Sequence, residues 1–323
     1  MRAIVFREYG SPAILVMAAI PRPVPKRDEV LVRVRAVSIN DWDWEALQGA
    51  PLMNRLMFGL FKPTKQVLGS DVAGVIEALG QDVRQFRVGD EVFGDLSGRW
   101  GGFAEYVCAR ENALALKPAG MTFEQAAAIP QAAMLAVQGL CDVARLQSGQ
   151  KLLINGAGGG VGTFAVQIAK HLGAEITGVD RGEKLDMVRS LGAAHVIDYT
   201  REDFTRNGQR YDVILDVKTH RSIFELARAL RGGGMYVTVG GSMARLVHAL
   251  LMWPWFRLTT KKKIRVVALK ANKDLAYMKE LFEAGTVVPV IDGPYALEDV
   301  PEAMRYFGSG RHQGKVVVTV RGE

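Results

Sequence analysis

The chain has 323 residues, of which 49% are hydrophobic and 23% are charged. This length suggests two domains, and this balance is typical of a globular enzyme rather than of a disordered or fibrous protein. Because the chain has only two cysteines, Cys108 and Cys141, the sequence predicts neither a disulfide framework nor a cysteine-rich metal site.

The formal net charge is +7, and the positive residues are scattered apart from Lys261–Lys263. Aromatic residues are not interleaved with them, so we expect a solvated basic surface and no nucleic-acid partner. Met1–Gly10 lacks the apolar region of a signal peptide. Leu246–Phe256 is too short to span a bilayer and contains Pro254, so a cytoplasmic location without a membrane partner is expected.

The first third of the chain consists of short valine-rich runs separated by glycine, proline or charged residues. Within Val24–Asn40 apolar and charged residues alternate, which predicts a half-exposed strand. These runs predict a twisted, antiparallel, barrel-like domain.

The pattern changes at Thr122, which is placed to cap a helix with Gln125 three residues later. From there to about Val267 strands and helices alternate, as in a doubly wound parallel sheet. The later helices and the final strand Gly314–Val320 return to the style of the first domain. The predicted domains are therefore 1–121 with 268–323, and 122–267 inserted between them.

Five glycines lie within Gly156–Gly162, between a predicted strand, Lys151–Asn155, and a predicted helix, Val161–Leu172. In a βαβ unit such glycines allow a tight turn, close approach of a pyrophosphate and close packing of helix on strand, and the helix N-terminus attracts phosphate. A packing turn without a ligand is the alternative. The residues predicted to hold the pyrophosphate are Gly156, Gly158, Gly159, Gly160, Val161 and Gly162.

Asp180 ends the second strand of this unit, eighteen residues after Gly162. A carboxylate there can accept hydrogen bonds from the ribose hydroxyls of a dinucleotide, which favours NAD over NADP. Arg181 follows directly and Lys184 is near, and both are cations that can tolerate a 2′-phosphate. The sequence therefore predicts use of NAD(H) or NADP(H), with a preference for NADH.

Four motifs occur in a characteristic order: Leu68–Gly80, Val88–Gly94, Gly101–Val107 and the glycine run. With them the chain resembles the medium-chain dehydrogenase/reductase superfamily, and most closely its zinc-independent quinone oxidoreductase and enone reductase branch. The resemblance implies an α/β protein with a GroES-like β-rich catalytic domain and a Rossmann domain, and commonly a homodimer. It also implies that a lysine at the position of Lys184 meets the phosphate of NADPH.

The resemblance also allows a prediction of whether the chain binds zinc. Zinc members of the superfamily have cysteine where this chain has Asn40, and a Gly-His-Glu triplet where it has Gly69-Ser70-Asp71. Asn40 and Ser70 are poor zinc ligands, so no metal is predicted.

Related reductases have an Asn-Pro-x-Asp pattern where this chain has Asn40 to Asp43, with Asp41 in place of the proline. Asn40 is the catalytic candidate, because its amide can donate to a substrate oxygen or to the cofactor ribose. A turn residue bonded to its own backbone is the alternative. For Asp43 we favour a capping role at a helix beginning at Trp44, and pairing with Lys62 or Lys65 is the alternative. At most one of Trp42 and Trp44 is expected to line a substrate wall.

The predicted function is NAD(P)H-dependent, zinc-independent reduction of an apolar quinone or α,β-unsaturated carbonyl by hydride transfer. A zinc-independent alcohol dehydrogenase and a low-turnover NAD(P)-binding adaptor or redox sensor are the alternatives. The apolar segment Leu246–Leu258 is either a lid over the substrate or a dimer contact.

Overall fold

The computed structural model describes residues 1–218, 220–241 and 243–321. They form two compact units. Unit 1 consists of Met1–Gln131, Ala271–Glu283 and Pro289–Glu323, and unit 2 of Ala132–Lys270 and Ala284–Val288. Both units combine helices with sheets, which confirms the predicted α/β class.

The strands, in chain order, are β1 (Arg2–Val5), β2 (Val16–Ala19), β3 (Glu29–Ser38), β4 (Asp71–Leu79), β5 (Glu91–Asp95), β6 (Tyr106–Arg110), β7 (Ala115–Leu116), β8 (Lys151–Asn155), β9 (Glu175–Asp180), β10 (His195–Asp198), β11 (Tyr211–Asp216), β12 (Leu230–Thr238), β13 (Lys263–Val266), β14 (Ile291–Ala296) and β15 (Lys315–Thr319).

The helices are α1 (Asp41–Gln48), α2 (Arg55–Phe58), α3 (Phe123–Ala128), α4 (Pro130–Val137), α5 (Gly160–His171), α6 (Leu185–Leu191), α7 (Ile223–Ala229), α8 (Met243–Thr260), α9 (Leu275–Glu283) and α10 (Val300–Gly308). A π-helical segment, Gln138–Ala144, follows α4.

Unit 1 is built on a seven-stranded sheet in the order β14-β15-β3-β4-β5-β7, with β6 also paired to β3. Every pair in it is antiparallel except β14 with β15. Because β3 has partners along both edges, it is almost wholly buried rather than half exposed as predicted, and only Arg33 and Arg35 are partly accessible. Its valines form the core together with those of β15.

Unit 2 contains a six-stranded, fully parallel sheet in the order β10-β9-β8-β11-β12-β13. Numbered from β8, this is the order 3-2-1-4-5-6 of a Rossmann fold. The chain moves outward from β8 through β9 to β10, and then returns to the other side of β8 with β11. This reversal leaves a crevice at the carboxyl end of β8, where such sheets bind ligands.

The first boundary between the units lies ten residues later than predicted, after Gln131 rather than after residue 121. The reason is α3, which packs on β3, β4 and β15 and therefore belongs to unit 1. Its capping box is present as predicted: Thr122 Oγ1 accepts from the Gln125 N–H at 3.2 Å, and Gln125 Oε1 accepts from the Thr122 N–H at 3.0 Å. The second boundary lies after Lys270 rather than after Val267.

The apolar segment near Pro254 lies within α8, an 18-residue helix that contains this proline. Phe256 is buried in the core of unit 2, and Met252 and Trp253 pack against that core from α8. Among the described residues, no helix has both the length and the apolar character needed to cross a bilayer.

Candidate functional site

The glycine run forms the turn from β8 into α5. Gly156 has a φ of +89°, a left-handed conformation that favours glycine, and α5 begins at Gly160, one residue earlier than predicted. The first turn of α5 presents the N–H groups of Gly160, Val161 and Gly162, which have no acceptor four residues back within the helix. A pyrophosphate is suited to this end of the helix because the helix dipole also favours negative charge there.

Two glycines of the run differ in what surrounds them. A Cβ on Gly162 would lie 2.1 Å from the Gly156 carbonyl oxygen, so this residue permits the close backbone packing of helix on turn. A Cβ on Gly159 would meet only the Gly156 oxygen, at 3.6 Å, which is ordinary contact. Gly159 therefore leaves room beside the turn, and Gly162 does not.

Asp180 holds the turn from the end of β9. Its Oδ2 accepts from the Gly158 N–H at 2.8 Å, and its Oδ1 accepts from the Arg181 N–H at 2.9 Å. The carboxylate is buried, and it faces the glycine turn rather than solvent. The predicted ribose ligand is thus also a structural part of the predicted pyrophosphate site.

The two cations near Asp180 lie in different surroundings. Lys184 is buried beneath Gly158, with its Nζ 3.7 Å from Asp180 Oδ1, and burial lowers the pKa of its ammonium while Asp180 opposes this. Arg181 is partly exposed, and its Nε donates to the Tyr199 hydroxyl at 2.9 Å. Arg181 is therefore the cation more accessible to a ligand.

In unit 1, Asn40 joins β3 to α1 and is almost fully buried. Its Nδ2 donates to Ser70 Oγ at 3.1 Å, and its Oδ1 accepts from Lys315 Nζ. The Asn40 amide is therefore held by side chains from distant parts of the chain, not by its own backbone as the alternative supposed.

Lys315 on β15 is the residue that sequence reasoning missed. Its ammonium is buried, donates to the Ile39 carbonyl oxygen at 3.1 Å and lies 3.7 Å from Asp71 Oδ2. Since an ammonium only donates hydrogen bonds, the atom of Asn40 that faces it must be Oδ1, so Nδ2 points the other way. A lysine in the valine-rich run Lys315–Thr319 was the available signal.

Four carboxyl groups act on this ammonium electrostatically, those of Asp71, Asp43, Asp41 and Asp95. Asp43 accepts from the N–H groups of Asn40 and Gly69, and Asp71 accepts from Ser38 Oγ and the Gln131 N–H. Asp95 lies opposite Asp71 on the neighbouring strand. Asp71 Oδ1 and Asp95 Oδ2 are buried and lack a hydrogen-bond partner among the described residues.

This burial governs the protonation of the cluster. It raises the pKa of Asp43 and of Asp71 from 3.8 to about 7, although Lys315 lowers both. It also raises the pKa of Asp95 and lowers that of the Lys315 ammonium. Burial thus brings the pKa of the Asp43 and Asp71 carboxyl groups close to neutral pH.

Asp43 stabilises the start of α1, which begins at Asp41 rather than at Trp44. Its partners are backbone N–H groups, not Lys62 or Lys65. Trp44 packs against the core of unit 1, whereas Trp42 is partly exposed and contacts Phe58 edge to face.

Comparison with known families and proteins shows to which family the chain belongs. Residues 26–119 match a model described as an alcohol dehydrogenase GroES-like domain, and residues 191–318 match one described as a zinc-binding dehydrogenase. A 2-methylene-furan-3-one reductase from Solanum lycopersicum is 33% identical over 98% of this chain and 79% of its own. An NADPH-dependent alkenal/one oxidoreductase from Arabidopsis thaliana, described as chloroplastic, is 32% identical over the same shares.

Among solved structures, the quinone oxidoreductase from Coxiella burnetii is similar with a TM-score of 0.88 and 26% identity, over 99% of each chain. The chain belongs to the medium-chain dehydrogenase/reductase superfamily, in its quinone and enone oxidoreductase branch. The predicted fold class and resemblance are thereby confirmed.

The residues at the superfamily's zinc position in this chain do not fit a zinc ion. The Asn40 amide and the Ser70 hydroxyl bond to one another, and Lys315 places an ammonium beside Asn40 and Asp71. Zinc requires several nitrogen, sulfur or carboxylate donors, and an adjacent ammonium repels it. The donor chemistry therefore supports the prediction of a member of this superfamily that works without zinc.

The two glycines give contrasting variants. We expect Gly159→Val to keep the fold and to weaken NAD(P)H binding, because the branched side chain fills the space left beside the turn. We expect Gly162→Val to destabilise unit 2 itself, since its Cβ overlaps backbone atoms. Fluorescence titration with NADPH and NADH, together with urea unfolding, measures both effects. Unchanged affinity in Gly159→Val would refute the pyrophosphate site.

The buried carboxyl groups predict a pH dependence of stability. Between its ordinary pKa of 3.8 and its folded pKa of about 7, Asp71 binds a proton in the folded state but not in the unfolded state. Its contribution to stability is therefore fully present below about pH 3.8 and is lost progressively as the pH rises to about 7. The free energy of unfolding should fall from about pH 4 to about pH 7 less steeply in Asp71→Asn than in the wild type.

Asp186→Asn is the control for this measurement, because that side chain is 98% exposed. Its pH dependence should match that of the wild type. An Asp71→Asn curve parallel to the wild-type curve would show that Asp71 does not take up the proton.

Proposed function

We propose that the chain is an NAD(P)H-dependent reductase of quinones or α,β-unsaturated carbonyls that works without zinc. The observation that carries the proposal is the glycine turn at the point where the strand order of unit 2 reverses, with the Asp180 carboxylate bonded to it. The activities named for the relatives, an alkenal/one oxidoreductase and a quinone oxidoreductase, support the substrate class.

The residues of unit 2 fit a dinucleotide. The first turn of α5 would hold the pyrophosphate, Gly159 leaves space beside the turn, and Asp180, which is bonded to the turn, would accept from the adenosine ribose. A bound nicotinamide supplies the hydride for the reduction, and the protein supplies orientation and electrostatics.

Asn40 is the proposed donor to the substrate oxygen. Its Nδ2 has two N–H groups, and the bond to Ser70 uses one of them. The second can stabilise the negative charge that develops on the substrate oxygen as hydride reaches the electron-poor carbon. Lys315 keeps Nδ2 available for this role because it bonds the other side of the amide.

Lys315 is accordingly a positioning residue. Its ammonium also supplies a positive charge among Asp43, Asp71 and Asp95. In a zinc enzyme the metal cation would polarise the substrate carbonyl. Here the Asn40 amide would polarise it, and the buried Lys315 ammonium orients that amide.

The function is tested with the purified full chain by following oxidation of NADPH and NADH with a benzoquinone and with a short enone. We expect turnover with at least one of them, unaffected by a strong chelator, and no stoichiometric zinc by elemental analysis. Asn40→Ala should lower kcat by about a hundredfold, since one oxyanion donor is worth that much, with cofactor affinity unchanged. Zinc near one per chain would refute the zinc-independent mechanism, and cofactor binding without turnover would favour the adaptor alternative.

We further propose that both NADH and NADPH are used, with a preference for NADH. The Asp180 carboxylate suits a free 2′-hydroxyl, and its ion pair with Lys184 reduces its repulsion of a 2′-phosphate. Arg181, held by Tyr199 at the surface, is the proposed phosphate contact. The homodimer and the cytoplasmic location stay predictions from the sequence.

Arg181→Ala should raise the KM for NADPH about tenfold and leave that for NADH nearly unchanged, because only the phosphate loses a charge-assisted hydrogen bond. Arg201→Ala is the matched control, since Arg201 is also an exposed arginine near a carboxyl end of the same sheet, after β10. Steady-state kinetics with both cofactors decides the question. A strong NADPH preference that survives in Arg181→Ala would show that the ribose pocket lies elsewhere.

A further inference from the structure

Helix α8 carries an apolar stripe on its exposed face. Val247, Leu251, Trp255 and Leu258 are spaced four, four and three residues apart, so they lie along one side of the helix over about 16 Å. Leu251 and Leu258 are 72% and 84% exposed, and Trp255 is 48% exposed. An ordered row of large apolar side chains in solvent marks an interaction surface.

The stripe is separate from the face by which α8 is attached to unit 2. Phe256 is buried in the unit 2 core, and Met252 and Trp253 pack against it. Phe224 on α7 lies 5.9 Å from Trp255, ring centre to ring centre, and extends the exposed apolar surface. Leu251 and Leu258 can therefore be changed without removing a core contact.

The stretch of chain that contains the stripe is basic. From Leu226 to Lys273 the chain has ten lysine and arginine residues and neither aspartate nor glutamate. Helix α8 leads directly into Lys261–Lys263, where Lys262 donates to the Ala227 carbonyl oxygen and Lys261 and Lys263 are exposed.

We propose that the exposed stripe of α8, together with Lys261 and Lys263, docks on the surface of an anionic lipid bilayer. An amphipathic helix lies in a bilayer interface when its apolar face enters the acyl boundary and nearby cations meet anionic headgroups. Tryptophan is enriched at that depth, which suits Trp255. The helix would lie along the surface rather than cross it, and the proposal departs from the sequence-based expectation that the chain has no membrane partner.

A second copy of the chain fits this surface less well. A symmetric dimer contact joins the same patch of both copies, and this patch provides no carboxylate between Leu226 and Lys273 to pair with its cations. A lid over a small substrate would not require an exposed row about 16 Å long. A bilayer matches both the length of the row and the sign of the charge.

Flotation of the full chain with lipid vesicles tests the proposal. We expect the protein to float with vesicles containing phosphatidylglycerol, to bind pure phosphatidylcholine vesicles at least about tenfold more weakly, and to be released by high salt. Because the readout is vesicle binding, its result is independent of the proposed reductase activity.

Two double variants separate the apolar and the electrostatic contributions. Leu251→Asp/Leu258→Asp and Lys261→Glu/Lys263→Glu should each lower binding at least about tenfold. The matched controls are Val24→Asp/Val88→Asp, which alters exposed apolar residues of unit 1, and Arg189→Glu/Arg201→Glu, near β10 at the opposite edge of the unit 2 sheet. Both controls should bind as the wild type does, and circular dichroism should show every variant folded.

Three results would overturn the proposal. The first is no binding of the wild type to anionic vesicles, and the second is binding that survives in both α8 variants. The third is a wild-type dimer that Leu251→Asp/Leu258→Asp converts to a monomer in sedimentation without any vesicle binding, which would assign the stripe to self-association.

Discussion

The candidate catalytic site depends on one buried ammonium group. Lys315 reaches from β15 to the Ile39 carbonyl at the end of β3, to the Asn40 amide before α1 and to Asp71 at the start of β4. An ammonium without acceptors in a protein interior costs several kcal/mol, so these contacts fix where three elements begin or end. The same contacts orient the Asn40 amide. The acceptors that the buried ammonium needs therefore also fix the direction of the proposed hydrogen-bond donor.

Much of unit 2 could be predicted from the sequence because its signals are local. Thirty residues, Lys151–Asp180, contain the glycine run, the strands beside it and Asp180. Turn geometry and periodicity alone are enough to predict them. What could not be predicted is the direction of the side chains: Asp180 faces Gly158, and Lys184 is buried beneath it. The Lys315–Asn40 contact lies further out of reach, since it joins residues 275 positions apart and depends on the complete sheet.

Helix α8 shows why the role of a hydrophobic segment is hard to predict from its sequence. Its apolar residues lie on two faces, Phe256 toward the core and Leu251 and Leu258 toward solvent, so no single stripe of helical period stands out. Pro254 adds a local signal against a helix, which packing of Phe256 and its neighbours overrides. The late domain boundary has a similar cause, because α3 has the composition of a Rossmann helix but packs on the sheet of unit 1.

The position of Lys315 in the chain also orders events during synthesis. The ammonium is made 276 residues after Ile39, its partner, and all of β8–β13 is translated in between. Until β15 emerges from the ribosome, Asp43, Asp71 and Asp95 lack their cation, whereas the parallel sheet of unit 2 already has all its strands. Unit 2 can therefore fold first, and unit 1 is completed only when its last strand arrives.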